Sequence, residues 1–283
     1  MRKKFLRSGL LYLMFLAILG ACASPTPQSD VKTYQVYTSA DYPPFEFVDE
    51  ATDEIVGFDI DLIKEVAGRS DFEVEINHIP FSDLISEMAD CQTDHIYISA
   101  MPVRQFSEGE ETCYWLYSVG TGGGYQFVGE YCSIKQNPIH FSEPYFQSGQ
   151  IIVVQSDTLT INGINDLAGR KVGIQVGSVD EDEISKWGTE TVLFEDLDSA
   201  VKYLLDGGTD AVVMGFISAL QYIDLYPGEI RTAGEFINEI PYVIAVCDNS
   251  PDKEILNQIN DALGEIKADG SLQALTDKWI KND

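Results

Sequence analysis

The chain has 283 residues, enough for two domains each with its own core, and 45% of them are hydrophobic, the share of an ordinary soluble protein. Its formal net charge of −28 is the unusual feature. Phosphate-bearing partners would be repelled, which excludes nucleic acid as a ligand and makes a solubilising acidic surface the simplest reading.

Arg2, Lys3, Lys4 and Arg7 give a basic start, Gly9 to Leu19 an apolar run, and Leu19-Gly20-Ala21-Cys22 follows. About eleven apolar residues are too few for a bilayer span, which needs roughly 20, so the spacing predicts a signal peptide over 1–22. The last four residues resemble a lipobox, which implies a lipid on Cys22; the alternative is an ordinary leader cysteine with cleavage after Ala21 or Ala23. Residues 23–33 carry two prolines among polar residues and read as a flexible tether.

Tyr34 to Thr38 reads as a strand, and the turn Tyr42-Pro43-Pro44-Phe45 comes after it. Two adjacent prolines fix φ and remove two backbone donors, so Tyr42 and Phe45 are held on a stiff turn. An amphipathic helix is predicted over Asp59 to Ala67, with Ile60, Ile63 and Ala67 on one face and Asp59 placed to cap its first turn. Strand, rigid aromatic loop and helix in succession present side chains at the carboxyl ends of strands, a ligand-binding geometry. Phe72, Val74 and Ile76 then alternate with polar residues as a half-exposed strand. A helix that Ser82 is placed to cap turns Leu84, Ile85 and Met88 inward, and His95 to Ala100 reads as a buried strand. This alternation predicts a parallel sheet with helices on its faces.

Removing Cys22 leaves Cys91, Cys113, Cys132 and Cys247, an even count whose three connectivities remain open. Cys113 and Cys132 bracket two β-prone aromatic runs, Tyr114 to Val119 and Tyr125 to Tyr131, joined by Gly120-Thr121-Gly122-Gly123-Gly124. That spacing suggests a stapled hairpin, after which Cys91 and Cys247 remain as a pair. His78, His95 and His140 are scattered and no CxxC spacing exists, so no metal is indicated. The glycine run lacks the Lys-Ser/Thr of a phosphate loop, and no cofactor is expected.

From Gly149 the pattern begins again. Strands are predicted at Ile151 to Val154, Lys171 to Gln175, Thr191 to Phe194 and Ala211 to Met214, with helices over Asp180 to Trp187 and Asp198 to Asp206. Asp180, Glu181, Asp182 and Glu183 suit a helical first turn, where the dipole favours negative charge. Tyr242 to Val246 reads as a return strand. Ile255, Leu256, Ile259, Leu263 and Ile266 stripe a last helix that Gly270 interrupts.

In chain order, YPPFEF (Tyr42 to Phe47), GFDIDLIKEVA (Gly57 to Ala67), FSEPYF (Phe141 to Phe146), DLAGRKVGIQVGS (Asp166 to Ser178) and ADGSLQALTDKWI (Ala268 to Ile280) resemble the family 3 extracytoplasmic solute-binding proteins of ABC transporters, which mostly carry amino acids. The resemblance covers nearly the whole chain after the first thirty or so residues. It implies an α/β, two-domain periplasmic-binding-protein-like fold of type II, each lobe a mixed, mostly parallel sheet flanked by helices, with a hinge between lobes. Lobe 1 is expected over 34–145 plus 242–283, with an insertion at about 105–137 that is either a lid or partner surface or a plain embellishment. Lobe 2 is expected over 146–241.

The resemblance also implies a ligand site. Tyr42 and Phe81 match positions where members sandwich the ligand, and Ser99, Ala100 and Met101 at the end of the adjoining strand are further candidates. Members bind an α-carboxylate through an arginine about six residues beyond the position of Met101, whereas the arginine here, Arg104, stands three residues on. The aspartate that pairs an α-ammonium is replaced by Gly215. The hydroxyl expected after Gly177 and Ser178 is replaced by Val179, although the backbone there is suited to an anion. Ser39 stands where binders of cationic amino acids tend to have aspartate, which argues against lysine or arginine. The implied function is capture of a small polar solute by hinge closure and delivery to an ABC permease, by a monomer lipid-anchored on the outer side of the cytoplasmic membrane. Two rivals use the same fold. One is an enzyme of the cyclohexadienyl dehydratase or lytic transglycosylase kind, for which Asp41 and Glu46 are the nearby carboxylates, and the other is a sensing module for a separate receptor.

Overall fold

The computed structural model describes residues 31–91, 95–108, 111–119, 125–132, 139–176, 186–248 and 253–280, with 178 and 183 singly, and gives only the backbone over 106–108, 111–115, 117–119 and 125–132. The expected leader, Cys22 and most of the tether lie outside the described residues, as does most of the helix expected over 180–187.

β1 (Lys32–Thr38) begins inside the expected tether, so Lys32 and Thr33 are strand. β2 (Asp41–Tyr42), β3 (Glu46–Val48) and β4 (Ile55–Val56) form a small antiparallel sheet around the proline turn. Then come α1 (Phe58–Arg69), β5 (Phe72–His78), α2 (Phe81–Asp90) and β6 (His95–Glu108). β1 lies between β5 and β6 and is parallel to both, with α1 and α2 as the crossovers that parallel pairing requires. α2 starts at Phe81 behind Pro80, and Ser82 is not its cap: its hydroxyl turns to Asp83.

β6 runs past its expected end and pairs with β7 (Glu111–Val119), which pairs with β8 (Tyr125–Cys132). This antiparallel extension occupies the expected insertion. Its register sets the backbone of Cys113 opposite that of Cys132, while their side chains and the Gly120 to Gly124 turn are outside the described residues.

After β9 (Ile139–Phe141), the chain forms β10 (Phe146–Gln155), β11 (Lys171–Gln175), β12 (Glu190–Phe194), α3 (Leu197–Leu205), β13 (Ala211–Gly215) and α4 (Phe216–Leu225). Asp196 caps α3, accepting from the Ser199 N–H at 2.7 Å. β14 (Ile230–Cys247) is far longer than the predicted return strand, and α5 (Glu254–Ala268) and α6 (Ser271–Trp279) close the described chain. Across the main sheet the order is β12-β11-β13-β10-β14-β6-β1-β5, parallel on both flanks and antiparallel where β10 and β14 run.

Residues 32–283 form one compact unit, inside which strand alternation separates four apolar clusters. Along β6, Ile96 and Ile98 face α1 and α5, while Tyr97 and Met101 face α2. Along β10, Ile152 and Val154 pack on one side and Ile151 and Val153 on the other. Cys91 at the end of α2 is disulfide-bonded to Cys247 of β14, Cα to Cα 5.4 Å, across 156 residues of sequence. At the other face Asp61 of α1 accepts from Lys278 Nζ at 2.6 Å and Trp279 Nε1 at 2.7 Å, docking α6. Among the described residues no helix is long and apolar enough to cross a membrane.

Candidate functional site

The proline turn is pinned to the start of α1. A side chain at Gly57, whose φ is +134°, would place Cβ 2.1 Å from the Phe45 carbonyl oxygen, so only glycine permits the approach. The first N–H groups of α1 then find acceptors in the turn: Phe58 N donates to Pro44 O at 3.0 Å and Asp59 N to Phe45 O at 2.9 Å. Because the turn's carbonyls satisfy these donors, Asp59 is not the cap its position suggests. Phe45, fully buried, is boxed edge-on by Phe58, Phe146 and Tyr242 at centroid distances of 5.6, 5.1 and 5.3 Å. Tyr42 stacks on Phe45 at 5.9 Å and 12°, which fixes a half-buried ring on an immobile one.

Released from capping, the Asp59 carboxylate is buried in the molecule, accepting from the Ala100 N–H at 2.6 Å and the Tyr145 hydroxyl at 2.8 Å. Glu46, 1% exposed, accepts at Oε1 from the Ser99 hydroxyl at 2.9 Å, and Ser99 Oγ in turn accepts from the Ser39 N–H at 3.1 Å. Glu46 Oε2 and Asp59 Oδ1 have no partner outside the pair, and a proton on Glu46 donated to Asp59 serves both. Desolvation holds the Glu46 carboxyl well above the usual carboxylate range, with the adjacent Asp59 charge adding to it. Burial likewise lifts Asp59 to about 7, against the three hydrogen bonds it accepts. The pair therefore ties β3 and α1 to the middle of β6, where Ala100 sits at a φ of +40°, unusual for a residue with a side chain. Its N–H to Asp59 is one of the contacts that hold it there.

A cavity of about 190 Å³ opens against this scaffold, room for roughly six waters at ~30 Å³ each. Of the residues singled out in the sequence, Ser39, Tyr42, Phe81, Ser99 and Ala100 line it. Asp41, Glu46 and Pro102 complete the lining; the glutamate between Phe45 and Phe47 was the signal for a buried charge. Met101 differs from expectation: beyond the positive φ of Ala100 its side chain is fully buried in the core with Leu84 and Met88 of α2, and it does not line the cavity. Arg104 is exposed further along β6, opposite Trp115 in the register, and does not line the cavity. Gly215 is buried where β13 meets α4, with Gln150 as its strand partner. Ser178 is buried too; its hydroxyl donates to Gln175 O at 2.8 Å and its carbonyl accepts from Gln150 Nε2. Gly177 and Val179 are outside the described residues.

The family model of bacterial extracellular solute-binding proteins, family 3, matches residues 34–105 and 134–282, passing over the β7–β8 extension. The arginine-binding extracellular protein ArtP of Bacillus subtilis is 27% identical over 275 residues, 94% of this chain and 93% of that protein. ABC transporter arginine-binding protein 1 of Escherichia coli is 25% identical, covering 86% of this chain and 88% of its own. Among solved structures, the unliganded open L-cystine solute receptor of Neisseria gonorrhoeae superposes with a TM-score of 0.68 at 18% identity, over 88% of this chain and 93% of that one, which shows the type II periplasmic-binding-protein fold. Both relatives are named as binding proteins, the Escherichia coli one of an ABC transporter, and the family acts outside the cytoplasm. This chain belongs to the bacterial extracellular solute-binding proteins, family 3.

Proposed function

We propose that the protein captures an amino acid, or a polar metabolite of that size, against the wall formed by Tyr42 and Phe81 and hands it to an ABC permease. The observation that carries this reading is the cavity itself: a small recess with a rigid stacked tyrosine, a second aromatic and a few fixed polar groups, at the carboxyl end of β1 and the middle of β6. In this reading 34–145 plus 242–283 and 146–241 are two lobes, and β10 and β14, which run between their cores, are the hinge. Closure follows because solute touching both lobes favours the closed form by its extra contacts. Glu46 and Asp59 act here as scaffold, their oxygens engaged by Ser99, Ala100 and Tyr145, and binding rather than catalysis is the proposed activity. Lipidation at Cys22 would anchor a monomer on the outer side of the cytoplasmic membrane, on the strength of the leader and its Leu-Gly-Ala-Cys end.

Calorimetric titration with the twenty amino acids, on the wild type and on Tyr42→Ala, tests this. At least one amino acid should bind, and Tyr42→Ala should weaken it at least ~10-fold through loss of the stacked face. No heat from any amino acid would remove amino acids as the solute.

A further inference from the structure

Five polar hydrogens of Ser39, Asp41, Ser99 and Ala100 on the cavity wall can be followed to acceptors in the protein. The Ser39 hydroxyl donates to Asp41 Oδ1 at 3.1 Å, and the Ser99 hydroxyl to Glu46 Oε1 at 2.9 Å. The Ser39 N–H is taken by Ser99 Oγ, the Asp41 N–H by Ser39 O at 2.8 Å and the Ala100 N–H by Asp59. Pro102 has no N–H to offer. Ser39, Asp41, Ser99 and Ala100 therefore turn oxygen to a solute, beside the faces of Tyr42 and Phe81, and among the described lining residues there is no lysine, arginine or histidine.

Of the two carboxyl groups that line the cavity, Glu46 is buried with its proton directed at Asp59, whereas Asp41 is exposed. Among the described residues Asp41 forms no ion pair with a lysine or arginine. A carboxylate brought to this wall would give up its water donors and meet oxygen lone pairs. An ammonium or guanidinium carries its own donors, gains a counter-ion, and suits the faces of Tyr42 and Phe81. The chain's net charge of −28 draws such solutes from a distance.

Resting on the reading of the cavity as a solute site, we propose that Asp41 is the specificity-determining counter-ion for a cationic group on the solute, an ammonium or guanidinium, so that the captured solute is an organic cation. Ser39, which by itself argues against a cationic ligand, serves here by donating to Asp41 and fixing that carboxylate on the wall.

Titration calorimetry of the full chain with agmatine, arginine, glutamine and glutamate, repeated on Asp41→Asn, tests the assignment. Agmatine and arginine should bind at least ~10-fold more tightly than glutamine, and Asp41→Asn should weaken both about 10-fold with an unchanged melting temperature. Glutamine or glutamate binding as tightly as the cations, or Asp41→Asn leaving cation affinity where it was, overturns the assignment while solute capture stands. Failure of all four to bind, together with no small molecule in a mass-spectrometric extract of the purified protein, overturns solute capture and the cation assignment with it.

Discussion

Glu46→Gln isolates the cost of keeping a carboxylic acid protonated beneath the cavity. Glutamine reproduces the hydrogen bonds of the neutral acid: its carbonyl accepts from Ser99 and its amide donates to Asp59, without a proton that the unfolded chain can release. In the wild type the folded state holds the Glu46 proton above its ordinary pKa of 4.5, because desolvation and the Asp59 charge raise the folded value. The contribution of Glu46 is thus fully present below pH 4.5 and is lost as pH rises towards the raised folded value, at about 1.4 kcal/mol per pH unit for as long as the proton stays bound. Asp59, lifted to about 7, has a slope of the same sign, but it is present in both proteins and drops out of their difference. Urea unfolding of wild type and Glu46→Gln at pH 4 to 7, compared at constant m, should show the variant's advantage growing steadily as pH rises. Parallel pH profiles for the two proteins would refute the shared proton.

Other perturbations follow from the same scaffold. Asp59→Ala would leave the Ala100 N–H, the Tyr145 hydroxyl and the Glu46 proton without their acceptor in a dry interior, a loss of about 3–5 kcal/mol measurable by denaturant unfolding. Gly57→Ala would drive Cβ into the Phe45 carbonyl at an unfavourable φ; it should cost more than ~1 kcal/mol in the same assay and weaken solute binding, since Tyr42 is on the displaced turn. Replacing both Cys91 and Cys247 by alanine opens the 156-residue loop and should lower unfolding stability by about 2–5 kcal/mol, and an unshifted midpoint would mean that the bond is absent or without consequence.

Much of this architecture was legible because it is written in local period. The strand Lys171–Gln175 has the bounds its apolar run predicts, and α1, β5, α2 and α5 lie where their patterns place them. The elements misread are those whose cause is remote or whose pattern is interrupted. Gly234 and Pro241 punctuate β14, and they hide a strand that β10 pairs along half of its length. α4 is apolar on most sides, FISALQYIDL, and shows no single stripe. Asp59 looks like a cap because sequence shows a helix beginning there, but not the carbonyls of Pro44 and Phe45 arriving from the preceding turn. In the same way Glu46, Asp59, Ser99 and Tyr145 become neighbours through hydrogen bonds spanning 41 to 86 residues, which no local reading connects. The turn itself, with Tyr42 between Ser39 and Phe45, was readable from two prolines.

The central claim, that the recess beside Tyr42 holds a solute, is tested most directly by native mass spectrometry of the protein purified gently from its host, alongside the Tyr42→Ala variant. A small organic molecule retained by the wild type and lost by the variant is the predicted result. A wild-type mass equal to that of the bare chain, or the same molecule retained by both proteins, would contradict it.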